Sequence, residues 1–81
     1  MKLNVDWSDV ANADVLRLRM PDAERICAEV LRFAETGRGP VQLVRPGDPT
    51  LFRLSIPGAG ALVRLVPETR TLVVWRLYSR R

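Results

Sequence analysis

The sequence predicts an α+β domain in which two N-terminal helices pack on one face of a curved, mostly antiparallel four-stranded sheet, in the order β-α-α-β-β-β. Apolar residues recur at helical spacing up to Ala34 and alternate with polar ones after Pro40. The phrase "ETGRGP" between these regimes carries the residues that stop a helix. "RPGDP", "PGAG" and "PETR" then cut the remaining chain into strand-length pieces. Helices gathered before the strands indicate helices segregated to one side of a sheet.

The first strand is expected over residues 2–7, where Leu3, Val5 and Trp7 share a side. Ser8 offers a hydroxyl to cap a helix running from Asp9 to Arg19, with Val10, Ala13, Leu16 and Met20 as its apolar stripe. Pro21, followed by Asp22 and Glu24, opens the second helix: proline suits a first helical position, and carboxylates complement the positive end of the helix dipole. Its buried stripe reads Ala23, Ile26, Cys27, Val30 and Ala34, flanked by Leu31 and Phe33, and Gly37 terminates it in the left-handed conformation. Strand candidates follow at residues 41–44, 50–56, 61–66 and 71–79, with residues 57–60 as a turn.

With 81 residues and 47% hydrophobic content the chain fits one domain, residues 1–81. Its single cysteine, Cys27, excludes an internal disulfide and reads as a small core residue. The N-terminal phrase "MKLNVDWSDV" lacks the pattern of a secretion signal, and no apolar run reaches the roughly 18 residues of a membrane span. A cytoplasmic protein without membrane contact is expected. There is no histidine, which removes Ser-His-Asp and Cys-His catalysis and most zinc sites. "PGAG" joins two strands, so it lacks the helix N-terminus of a phosphate loop. No cofactor and no metal are expected. The acids Asp6, Asp9, Asp14, Asp22, Glu24, Glu29 and Glu35 read as solvated helix faces and end charges.

Charge is segregated. Residues 1–37 hold five basic and seven acidic side chains, net −2, whereas residues 38–81 hold eight and two, net +6. Strand alternation turns this list into a surface. Phe52, Leu54 and Ile56 take one face of their strand and leave Arg53 and Ser55 on the other. Ala61, Val63 and Leu65 do the same against Leu62 and Arg64. In the last strand Val73, Trp75 and Leu77 form the larger apolar set, which places Arg76, Tyr78 and Arg80 behind Leu72 and Val74. Arg53, Arg64, Arg76 and Arg80 therefore share one open face, suited to phosphates or an acidic protein. An ordinary polar side of a half-exposed sheet has the same pattern. On this reading Arg53→Ala and Arg76→Ala weaken partner binding with little loss of stability, and Trp75→Ala costs about 3–5 kcal/mol as a buried aromatic.

The phrases "RFAETGRGPV" (Arg32–Val41), "LFRLSIPGAGALVRL" (Leu51–Leu65) and "LVVWRLYSRR" (Leu72–Arg81) resemble the RelE/ParE superfamily of bacterial toxin–antitoxin toxins, in order and over nearly the whole chain. The resemblance implies the fold derived above. It also implies one of two activities, cleavage of messenger RNA on the ribosome by basic residues and a tyrosine on the concave sheet face, or poisoning of DNA gyrase. An antitoxin segment wrapped around the toxin neutralises either. Position by position, Arg53 keeps the first basic site. Ser55 stands where the nucleases carry a second cation, and Leu62 where an arginine is expected. Tyr78 takes the slot of the arginine before the family's histidine, Ser79 replaces that histidine, and the family's terminal tyrosine has no counterpart.

The expected function is thus that of a toxin-like protein with a degenerate nuclease site, acting mainly by binding an antitoxin, gyrase or the ribosome. Arg45, Arg53, Arg64, Arg76, Tyr78, Arg80 and Arg81 form the expected contact surface. The alternatives are an active ribosome-dependent endoribonuclease, with Arg53, Arg64, Arg76, Tyr78 and Arg80 in relocated roles, and a RelE-like protein repurposed as an inhibitor. A basic face that binds RNA or other nucleic acid without sequence preference is the weaker reading.

Overall fold

The computed structural model describes residues 2–81. The elements run β1 (Asn4–Trp7), α1 (Asp9–Val15), α2 (Met20–Thr36), β2 (Val41–Leu43), β3 (Leu51–Ile56), β4 (Ala59–Val66) and β5 (Thr71–Ser79), with a short 3-10 turn at Pro67–Thr69. All five strand candidates form one sheet of order β1-β5-β4-β3-β2, so it has five strands and not four. Three pairings are antiparallel. The fourth, β1 with β5, is parallel, and the two helices carry the chain from β1 at one edge of the sheet to β2 at the other.

The core lies between α2 and one sheet face. Ile26, Val30, Leu54, Val63, Leu72 and Val74 are wholly buried there. Phe33 meets Phe52 edge-on with ring centroids 5.7 Å apart, an arrangement favoured by aromatic quadrupoles. Gly37 ends α2 with φ 74°, its N–H donating to the Phe33 carbonyl, as the sequence predicts. Leu31 is exposed and Cys27 is half-buried against the core, so the α2 stripe is carried by Ala23, Ile26, Val30, Phe33 and Ala34.

Two local expectations change. The turn after β3 is only Pro57–Gly58, with Gly58 at φ 96°, so Ala59 and Gly60 belong to β4. Proline followed by a positive-φ glycine suits a two-residue reversal. Helix α1 stops at Val15; the inward residues are Ala11, Asp14 and Val15, with Leu18 beyond its end, not Val10, Ala13, Leu16 and Met20. Leu16 is 87% exposed. A carboxylate replaces leucine on the inward face because it has bonding partners on β5, described below.

Candidate functional site

The sheet face away from the helices is built from register rows. One row is Gln42, Arg53, Leu62 and Arg76; the next is Ser55, Gly60 and Tyr78; on the other side Leu51 stands opposite Arg64. The alternation expected for β3 and β4 is found. That of β5 is not, for its first half. Leu72 and Val74 are buried in the core, and Trp75, expected there, is 40% exposed.

A β-bulge reconciles the two halves of β5. Leu62 pairs with Arg76 but Val63 pairs with Val74, so Trp75 is the extra residue. An inserted residue shifts the parity of everything after it. Leu77 thereby returns to the core, while Trp75, Arg76 and Tyr78 all fall on the open side. The Arg64 guanidinium lies 4.9 Å above the Trp75 ring, a cation–π contact that places Trp75 outside the core. The Tyr78 ring lies over Gly60, where a Cβ would collide with it.

Three of the six predicted cations are already engaged with carboxylates. Arg76 Nε and Nη2 donate to the Asp14 carboxylate at 3.0 and 3.2 Å, and the Leu77 N–H donates to the same carboxylate at 2.9 Å. Arg81 grips Asp22 at 2.8 and 2.9 Å, and Arg25 adds a bond of 2.9 Å. Arg81 is therefore drawn to the helix side and away from the open face. Asp14 and Asp22 are 3% and 2% exposed, so they are buried bidentate partners instead of the solvated charges expected. Their arginines hold both carboxyls well below the ordinary carboxylate value, against the opposing effect of burial. Arg64 donates to Thr50 Oγ1 at 2.8 Å and to Asp48 at 3.2 Å. Asp48 is in turn lowered chiefly by the Thr50 hydroxyl and amide.

Arg53 is exposed, and the Arg80 guanidinium donates to the Ile56 carbonyl at 2.9 Å. Among the described residues neither has a carboxylate within 4.0 Å. Arg80 lines a shallow pocket of about 330 Å³ with Gly39, Pro40, Val41, Gln42 and Ser55. Arg45 stands apart, exposed in the loop after β2. The structure thus brings Arg53, Arg64, Arg76, Tyr78 and Arg80 to one face and leaves Arg53 and Arg80 as its cations without acidic partners. Sequence reasoning missed Asp14 and Asp22 as interior residues, because each reads locally as a solvated helix face or a helix-end charge.

No protein-family model and no curated protein matches the sequence. The fold does match solved structures. A chain of the RelBE2 toxin–antitoxin complex from Mycobacterium tuberculosis superposes with a TM-score of 0.80 at 17% identity, covering 99% of this chain and 100% of that one. The isolated E. coli RelE toxin gives 0.80 at 14% identity, over 98% of this chain and 85% of the other. A double arginine-to-alanine mutant of E. coli RelE in the free state gives 0.77 at 15% identity, over 95% and 82%. The chain has the fold of the RelE toxins over practically its whole length.

Proposed function

We propose that this chain is a toxin-like protein of a bacterial toxin–antitoxin pair, cytoplasmic, that acts by binding a protein partner through the open sheet face and does not cut RNA efficiently. An antitoxin is the first partner; gyrase or the ribosome is the target. The observation carrying this reading is the commitment of the arginines. Arg64, Arg76 and Arg81 each pair with a carboxylate of this same chain, which leaves Arg53 and Arg80 on either side of the Ser55, Gly60 and Tyr78 row.

Phosphodiester cleavage needs cations fixed around the developing charge and a group to move protons. Among the described residues Tyr78 is the sole candidate for the second role on this face, and a displacement of about 1 Å in such a site can cost 100-fold. A binding surface is less demanding. Two cations beside an exposed tryptophan and a half-buried tyrosine suit an acidic protein surface. That the RelBE2 neighbour is a toxin–antitoxin complex supports a protein partner.

Induced expression in a bacterium tests the reading. Growth inhibition that Arg53→Glu relieves, without new cuts in ribosome-bound message, is the expected result. Mapped cuts that vanish in Tyr78→Phe would replace it with the endoribonuclease reading, and inhibition accompanied by DNA damage identifies gyrase as the target.

A further inference from the structure

We infer that α1 is a self-association surface, through which two copies of this chain pair with their α1 helices antiparallel about a two-fold axis at Ala13. The surface lies on the helix that covers the β5 edge, apart from the open sheet face, and does not depend on the partner reading above.

The first argument is a helix that turns its apolar stripe outward. Val10, Ala13 and Leu16 recur at every third position of α1 and its closing turn, a spacing that gathers them on one face. The fold does not use that face. Asp14 holds Arg76 and the Leu77 N–H, and Ala11 and Val15 pack inward beside it, so the helix is fixed to β5 by its other side. Val10 is left 49% and Leu16 87% exposed, and Met20, 69% exposed, follows at the first residue of α2. Apolar side chains exposed singly need no explanation, whereas several on one face mark a contact surface.

The second argument is that this face is complementary to itself. In an antiparallel pair of identical helices that cross at Ala13, residues equally far before and after Ala13 come together, and every contact occurs twice. Val10 then packs on Leu16 of the second copy, and Asp9 meets Arg17 of the second copy. Both charged residues are exposed, and among the described residues neither has an opposite charge within 4.0 Å. Alanine at the crossing lets the helix axes approach to about 8 Å, the near end of the range for packed helices. A parallel pair would instead set Asp9 against Asp9 and Arg17 against Arg17.

Charge also separates this occupant from others. The stripe carries an acid at one end and a base at the other, which suits neither a polyanion nor an acidic peptide and does suit its own copy. The contact is small. A stripe of this length covers far less than the roughly 800 Å² per partner of a stable complex, so a reversible dimer with a dissociation constant on the order of 100 μM is expected.

Sedimentation of the isolated protein from about 10 μM to about 1 mM tests the inference. A monomer–dimer equilibrium is expected, and Leu16→Glu, which removes no buried contact, should leave only monomer. Asp9→Arg and Arg17→Asp should each weaken the dimer by about tenfold or more, and the two exchanges together should restore it, with circular dichroism confirming an unchanged fold. Ala13→Cys in a Cys27→Ser background should oxidise to a disulfide dimer much faster than Glu24→Cys in the same background, since residue 13 stands against its own copy. A chain that stays monomeric at about 1 mM, a dimer that Leu16→Glu leaves intact, a double exchange that folds but does not restore pairing, or equal oxidation of the two cysteine variants would each overturn the inference. A dimer dissolved by Arg53→Glu and not by Leu16→Glu would move the contact to the open sheet face and end the α1 pairing.

Discussion

Asp14 on α1 and Arg76 on β5, 62 residues apart in sequence, are joined by two hydrogen bonds, and the same carboxylate accepts the Leu77 backbone N–H. One buried side chain therefore anchors a helix, caps a strand edge and aims a guanidinium. Replacing it with alanine leaves the buried Leu77 N–H without an acceptor, a loss of about 1–3 kcal/mol. Chemical denaturation of Asp14→Ala should show that loss, and Asp14→Asn, which still accepts one bond, should recover part of it.

Arg76→Ala and Arg53→Ala, equivalent on strand alternation alone, should differ. Among the described residues Arg53 has no side-chain bond, and its removal should change stability by less than about 0.5 kcal/mol. Removing Arg76 strands the Asp14 carboxylate in a buried site, which destabilises the fold and lowers the melting temperature by several degrees. Thermal melts of the two variants side by side decide the point.

Acid should unfold the protein through the same pairs. Arg76 and Arg81 depress the folded-state ionisation of Asp14 and Asp22 below the ordinary value of 3.8, and Asp48 is depressed by Thr50. A depressed carboxyl contributes stability that is fully present above its unfolded value and is lost as pH falls toward its folded value. Melting temperature should thus stay level from about pH 7 to about pH 5 and fall below about pH 4. In Asp22→Asn that acid-side fall should be shallower.

Trp75→Ala should cost about 1–2 kcal/mol, the value of a part-buried aromatic with one cation–π contact, and not the 3–5 kcal/mol of a core residue. Urea denaturation measures it, and the smaller loss verifies the bulge.

Gly60→Ala should move the Tyr78 ring, because the new methyl occupies the ring's place. Tyrosine fluorescence or ring proton shifts should report the displacement, and partner binding should fall while the core stays intact.

Secondary structure was legible in the sequence wherever it depends on neighbours along the chain. The Ser8 cap, whose hydroxyl accepts the Ala11 N–H at 3.0 Å, the Gly37 stop and the alternation of β3 and β4 are local matters of backbone geometry and spacing. The charge asymmetry that makes the open face basic was legible too. Two features were decided by distant chain alone. The bulge at Trp75 shifts the parity of β5 and depends on register with β4, and Asp14 and Asp22 become interior only because Arg76 and Arg81 arrive from far along the chain. A periodicity records which side of an element is apolar. Which polar groups find partners is settled by contacts between segments far apart in sequence, and in this protein those contacts determine which arginines are free to bind.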